Sequence, residues 1–236
     1  MSTVPNPLPA TAGPAYPARL TAQRVPAPLS PALWLVKWLL VLPHVVVLVF
    51  LWVAFAVLTV VAFFAILFTA RYPRGIFEFN LGVLRWTWRV GYYSYAALGT
   101  DAYPPFTLGE VPAYPATLSV AYPQRLSRGL VLVKWWLLAI PHYVVVGLFV
   151  GPQVSYETVD GTKYASHIGL IAILVLVAAF VLLFTSRYPR SVYDLVIGLN
   201  RWVYRVSAYA SLMTDVYPPF RLDQGPDDPV IDDARL

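Results

Sequence analysis

The sequence predicts an all-α integral membrane protein made of two tandem repeats, each a transmembrane helical hairpin followed by an amphipathic interfacial helix. Three observations predict it. Apolar residues make up 58% of the 236 positions and charged residues only 12%, against about half and about a quarter in soluble domains. Three apolar runs reach membrane length, and blocks of sequence recur in the same order in both halves.

The repeat is read first, because it sets the architecture. Tyr16-Pro17-Ala18-Arg19-Leu20 is matched to Tyr122-Pro123-Gln124-Arg125-Leu126. Lys37-Trp38-Leu39-Leu40 with Pro43-His44 recurs as Lys134-Trp135-Trp136-Leu137 with Pro141-His142. Leu67-Phe68-Thr69-Ala70-Arg71-Tyr72-Pro73-Arg74 recurs as Leu183-Phe184-Thr185-Ser186-Arg187-Tyr188-Pro189-Arg190. Arg85-Trp86 with Arg89 recurs as Arg201-Trp202 with Arg205, and Asp101-Ala102-Tyr103-Pro104-Pro105-Phe106 as Asp215-Val216-Tyr217-Pro218-Pro219-Phe220. The expected organisation is a Pro/Ala-rich disordered tail over 1–31, repeat one over 32–108, a linker over 109–128, repeat two over 129–222 and an acidic disordered tail over 223–236. The tail assignments rest on eight prolines in the first and five aspartates in the second, compositions too poor in apolar residues to offset chain ordering.

These blocks resemble a bacterial membrane family known as domain of unknown function 4389, in two tandem copies covering about 33–108 and 129–222. The residues carrying the likeness are the Pro-His pair, the Phe-Thr-x-Arg-Tyr-Pro-Arg run, the Arg-Trp-x-x-Arg helix and the Asp-x-Tyr-Pro-Pro-Phe ending. The family pattern prefers Gly where Ala70 and Ser186 stand, which bears on the turn at that point. The resemblance implies membrane residence and carries no activity with it.

In repeat two, Leu130–Val150 and Ile168–Thr185 are apolar and separated by the polar stretch Gly151–His167, which reads as a hairpin. Crossing the hydrocarbon takes about 20 residues. In repeat one, Leu33–Thr69 is a single run of 37 residues, about 55 Å as one helix. Two readings stand: a tight hairpin turning near Leu51-Trp52, or an interfacial segment Leu33–Leu42 broken at Pro43 and one crossing from His44 to Thr69. Arg19 and Arg24 before the run, Lys37 near its start, and the arginines between and after the repeats all sit on one side only if repeat one is a hairpin. The expected location is therefore the plasma membrane, multi-pass, with both termini cytoplasmic.

The segments Ile76–Leu98 and Val192–Leu212 follow each hairpin. Glu78, Gly82, Arg85 and Arg89 fall on one helical face, as do Asp194, Gly198, Arg201 and Arg205. Arginines beside Trp and Tyr suit a helix in the headgroup plane. Such a helix either only anchors the hairpins, tied by Glu78–Arg85 and Asp194–Arg201 pairs, or binds anionic lipid or a partner through Arg71, Arg74, Arg85, Arg89, Arg187, Arg190, Arg201 and Arg205. Lys37, His44, Lys134 and His142 are the ionisable groups inside apolar runs. The lysines can snorkel, and the histidines can bond a carbonyl freed at the proline.

Function classes are narrowed by what the sequence lacks. With no cysteines, thiolate chemistry and disulfides are excluded. No zinc-binding helix motif, phosphate-cradling glycine loop or nucleophile elbow occurs. The expectation is a non-enzymatic module that organises lipids or partners at the cytoplasmic leaflet, without metal or cofactor and without nucleic acid. Its partners would be membrane lipids, anionic ones included, and a membrane protein or a second copy of the chain. A small transporter or channel component with a path between the repeats, and a lipid-modifying enzyme of unfamiliar type, are the competing readings.

Overall fold

The computed structural model describes residues 16–25, 29–151 and 169–227. Its elements run β1 (Ala18–Ala22), α1 (Trp34–Leu40), α2 (Leu42–Thr69), α3 (Arg74–Tyr93), β2 (Ala116–Val120), α4 (Leu130–Val133), a π-helical turn (Lys134–Leu138), α5 (Ile140–Val150), α6 (Leu170–Thr185) and α7 (Arg190–Ala210). The chain is mostly helical, with one small two-stranded sheet.

Proline sets the start of the long helix. Pro43 lies in the first turn of α2, where its missing N–H is not needed. The helix then runs 28 residues without a break, about 42 Å. No turn forms near Leu51-Trp52, so repeat one does not make the tight hairpin expected there. The reason is local: no Gly, Pro or Asn offers a chain reversal in that stretch. α2 is long and apolar enough to cross a membrane, with a mean hydropathy of 3.0 and only 17% of its most apolar stretch buried.

What α2 pairs with is α3, along its whole length and in the opposite direction. Trp86 Nε1 donates to His44 Nδ1 at 3.0 Å, Trp52 Nε1 to Thr87 at 3.2 Å, and Asn80 Nδ2 to Thr59 at 3.2 Å. The helical pair of repeat one is therefore α2 with α3. The reversal between them begins at Ala70, whose φ of 58° is left-handed, and ends at Pro73, the N-cap of α3. Ser186 (φ 52°) and Pro189 repeat this turn before α7. It is the conformation a glycine would take without strain.

Repeat two builds the same layer from pieces. Thr69 follows His44 by 25 positions and Thr185 follows His142 by 43, a difference of 18. The surplus falls between α5 and α6, whose described ends are adjacent: the backbone of Gly169 lies directly against that of Phe149 and Val150. Both α5 and α6 pack on α7, as α2 alone packs on α3. α5 and α6 thus take together the place that α2 takes in repeat one. The expected loop Gly151–His167 falls, except for Gly151, outside the described residues.

A second length difference is absorbed inside a helix. Lys37 and Pro43 are six positions apart, Lys134 and Pro141 seven. The extra residue is accommodated by the π-helical turn Lys134–Leu138, the usual way a helix takes one insertion. Leu130–Leu138 and Ile140–Val150 then meet at 42°, together long enough to count as a second membrane-length segment.

The strands correct two sequence expectations. Residues 18–22 lie in the stretch read as a disordered tail and 116–120 in the stretch read as a linker, yet they pair antiparallel with Leu20 opposite Leu118. The repeat unit that produces them is Ala15-Tyr16-Pro17-Ala18-Arg19-Leu20 with Ala113-Tyr114-Pro115-Ala116-Thr117-Leu118, so the Tyr122 block was the wrong partner for Tyr16. Each strand packs on the helix of the other repeat. β1 packs on α7, and β2 on α3. An antiparallel two-stranded ribbon is itself two-fold symmetric, and here its centre lies between Leu20 and Leu118.

The ribbon covers a second face of α3 and α7, which explains why these helices are not the surface-lying elements expected over 76–98 and 192–212. Phe77, Leu81, Leu84, Trp88 and Tyr92 of α3 and Tyr193, Val196, Ile197 and Ala208 of α7 are buried in one core with β1 and β2. The tips interlock as well: Tyr72 Oη donates to Ser211 O at 3.4 Å and Tyr188 Oη to Ala97 O at 2.9 Å.

Candidate functional site

Three sets of side chains that sequence analysis singled out occupy three different environments. Lys37, His44, Lys134 and His142 form two clamps. Lys37 Nζ donates to Thr100 O at 2.7 Å and pairs with Asp101 at 2.9 Å; Lys134 donates to Thr214 O at 3.0 Å and pairs with Asp215 at 2.7 Å. The other oxygen of each aspartate accepts a backbone N–H, from Ser30 and Ser127, both at 2.6 Å. Both lysines are buried, at 2% and 0% exposure, rather than snorkelling to a surface. A buried ammonium with a carboxylate and a carbonyl partner has its charge compensated in place.

The histidines complete the clamps. His142 accepts from Trp202 Nε1 at 3.1 Å, repeating the His44–Trp86 contact. His44 stacks on Phe106 with ring centroids 3.9 Å apart and His142 on Phe220 at 4.3 Å. Tyr103 and Tyr217 donate to Leu40 O and Leu138 O at 3.0 and 3.1 Å. The Asp-x-Tyr-Pro-Pro-Phe ending is thereby explained residue by residue: Asp takes the lysine, Tyr the helix end, Phe the histidine. Neither histidine hydrogen-bonds Asp101 or Asp215, which are held by the lysines instead.

The arginines on the amphipathic face are drawn inward. Arg201 is fully buried and donates to Leu20 O and Gly225 O at 3.1 Å and to Asp223 O. Arg205 pairs with Asp223 at 2.6 Å, and Asp223 also holds Arg221 at 2.6 Å. Asp223 is buried, so the acidic tail begins as part of the core. In repeat one, Arg85 Nε donates to Leu118 O at 2.9 Å and pairs with Glu110; Arg89 donates to Gly109 O at 2.8 Å and to Thr107 O. Burial disfavours the charged form of Arg89, and Tyr114 beside it partly offsets this. Arg85, Arg89 and Arg201 hold strand and loop carbonyls and Arg205 holds the Asp223 carboxylate, so these four are not free for headgroups. The pairs expected within each helix do not form: Glu78 is exposed, and Asp194 pairs with Arg24 at 2.5 Å.

Gly82 and Gly198 sit on the same face for a steric reason. A Cβ on Gly82 would come 2.9 Å from Leu108 O, and one on Gly198 2.9 Å from Asp223 O. The loops carrying the carbonyls can reach the arginines only because these two positions lack a side chain.

Arg71, Arg74, Arg187 and Arg190 differ. All four are exposed at the elbows where α2 turns into α3 and α6 into α7. Arg74 lies over the ring of Tyr122, 5.3 Å from its centroid. At the inner side of the repeat-two elbow the Tyr92 and Tyr193 hydroxyls lie 2.7 Å apart and 2.8 Å from Gln23 O and Ala22 O respectively, so their two protons serve two of these three contacts at a time. Burial raises the Tyr193 pKa to about 12 and that of Tyr92 further. Sequence reasoning missed the buried tyrosines and Asp223, and the recurrence of Ala-Tyr-Pro-Ala-x-Leu was the signal that could have found Tyr16 and Tyr114. Among the described residues no group of acidic and histidine side chains could hold a metal ion.

The fold and these positions define a class: a mostly helical, internally duplicated chain with at least one helix of membrane length. The family described as Domain of unknown function (DUF4389) matches residues 31–107 and 165–221. The chain belongs to that family, in two tandem copies. No curated protein and no solved structure matches it.

Proposed function

We propose that the chain is a membrane-embedded module that gathers anionic lipids at the cytoplasmic leaflet and carries out no covalent chemistry. The observation that supports this most is the contrast between its layers. α2 exposes Phe50, Val53, Val57, Val61, Phe64 and Phe68, and α6 exposes Leu176, Phe180 and Phe184, whereas Arg85 and Arg89 of α3 and Arg201 of α7 are turned inward onto carbonyls. An apolar face of that extent is far beyond what a monomer leaves in water, and hydrocarbon is its natural solvent. α2 is hydrophobic all round, as a lipid-immersed helix is.

In this reading α2 and the α4–α6 arm lay their exposed apolar faces in the hydrocarbon, and α3, α7 and the ribbon cover the opposite faces from the aqueous side. Both described chain ends belong to that aqueous layer: Ala22 N donates to Pro226 O at 2.9 Å. The exposed Arg71, Arg74, Arg187 and Arg190 lie at the base of the arms, where basic residues favour the cytoplasmic side and anionic headgroups. The module is multi-helical in the membrane, with two apolar arms instead of four separate crossings.

Flotation of the full chain with vesicles of phosphatidylcholine, with and without phosphatidylglycerol, tests the proposal. Replacing Arg71, Arg74, Arg187 and Arg190 together with Gln should weaken association with the anionic vesicles and lower the anionic lipid that co-purifies. Equal binding of wild type and variant to both vesicle types would sink the lipid reading. Single cysteines, in a chain that has none, would resist a membrane-impermeant maleimide at Phe64 and Phe180 and react at Ser119.

A further inference from the structure

The two elbows are equivalent in sequence and unequal in content. In repeat one, Tyr122 fills the angle between α2 and α3. Its hydroxyl donates to Tyr72 O at 2.5 Å, its ring meets Phe77 edge-on with centroids 5.0 Å apart, and Arg74 covers its face. In repeat two, Tyr188 stands for Tyr72, Tyr193 for Phe77 and Arg190 for Arg74. The residue standing for Tyr122 is Val25. Val25-Pro26 repeats Tyr122-Pro123, and Leu29-Ser30 repeats Leu126-Ser127. The alignment is fixed in space by the equal contacts of Ser30 and Ser127 with Asp101 and Asp215.

A valine cannot fill the volume of a phenol, and a cleft of about 620 Å³ lies there, walled by Arg24, Val25, Arg187, Tyr188, Arg190 and Tyr193. Its charge is one-sided. Asp194 neutralises Arg24, which also lies 4.9 Å over the Tyr193 ring. The Arg187 and Arg190 side chains make no ion pair among the described residues. The phenols are already committed, Tyr188 to Ala97 O and Tyr193 to Ala22 O and Tyr92. Recognition therefore falls to guanidinium groups, whose planar forks suit the oxygens of a phosphate group.

We propose that the repeat-two elbow is a binding site for a phosphate group, supplied by an anionic lipid headgroup, and that Val25 is the residue that opens it. Repeat one carries the same two arginines and has no such site, because Tyr122 occupies the place. The lipid source rests on the membrane reading above; the site itself does not.

The test uses the full chain in neutral detergent, followed by native mass spectrometry with short-chain phosphatidic acid as probe and phosphatidylcholine as control. Wild type should retain one phosphatidic acid. Val25→Tyr should lose it by about tenfold or more in affinity, Arg187→Gln with Arg190→Gln should do the same, and Tyr122→Val should gain a second site. Thermal unfolding of each variant identifies any that fails to fold, and Val25→Phe serves as a second plug. Competition by inorganic phosphate at the affinity of the lipid would assign the site to soluble phosphate esters; poor competition supports the headgroup. Unchanged stoichiometry in folded Val25→Tyr and Val25→Phe overturns the proposal. A wild-type chain that fails to float with any vesicle sinks the membrane reading and leaves this micelle titration legible.

Discussion

Leu20 and Leu118 face each other at the centre of the ribbon, and the carbonyl of each is held by an arginine of the helix on which its strand packs: Arg201 of α7 for Leu20 and Arg85 of α3 for Leu118. The strand before repeat one completes repeat two, and the strand between the repeats completes repeat one. The halves are therefore locked by exchange. Removing Arg201, fully buried with several carbonyl partners, should cost about 3–5 kcal/mol, the range for breaking a buried charged contact. Arg85 is partly exposed and its Glu110 partner more so, so Arg85→Met should cost about 1 kcal/mol. Denaturation of the two variants in one detergent checks the order; equal losses would contradict it.

The π-helical turn is expected to be dispensable. Deleting Trp136 restores the spacing of repeat one, so Lys134 should stay on Asp215 and His142 on Trp202. The variant should unfold within a few degrees of wild type. Deleting Val145 is the contrast: it rotates Phe149 away from Trp202, whose rings lie 5.6 Å apart, and should lower the transition by more. A Trp136 deletion that prevents folding would show that the turn does more than absorb an insertion.

Ala70 and Ser186 hold left-handed conformations that cost a residue with a Cβ about 1–2 kcal/mol. Glycine removes that strain but loses more freedom on folding, about 0.5–1 kcal/mol. Ala70→Gly and Ser186→Gly should each stabilise the chain by about 0.5–1 kcal/mol, additively, because the two turns share no partner. Thermal unfolding of the single and double variants measures it, and a destabilised double variant would refute the strain argument.

Alkaline pH should weaken the fold through the Tyr92–Tyr193 pair. Burial raises the Tyr193 pKa from 10.0 to about 12 and that of Tyr92 above it. The protonated phenols are favoured by folding, so their contribution is complete below pH 10 and is lost as pH rises towards 12. Unfolding temperatures should be level from pH 8 to about pH 10 and then fall. Tyr193→Phe should make the alkaline fall shallower, and an unaltered slope would mean that this pair is not responsible.

Some of the architecture was legible in the sequence because it depends on local chemistry. Pro43, Pro141, Pro73 and Pro189 mark helix starts, and the apolar run after Pro43 is unbroken in sequence as it is in the helix. The hairpin preferred instead came from charge placement, which constrains sides of a membrane and says nothing about where a helix breaks. The arginines were recognised as a set, but their direction was not. Arg201 turns inward because Leu20, 181 positions away, brings it a carbonyl, and no spacing along the chain encodes that approach.

The residues by themselves determined the duplication, the apolar arms, the proline-marked turns and the recurrence of the Asp-x-Tyr-Pro-Pro-Phe endings, since each is read from composition, from local chemistry or from repetition along the chain. Only the tertiary structure decided that α2 pairs with α3, that α5 and α6 together replace α2, and that the strands cross between halves. The physical reason is the same in each case. Buried carbonyls, ammonium groups and phenols must find partners, and in this protein those partners lie in the other repeat or on the far side of a long loop.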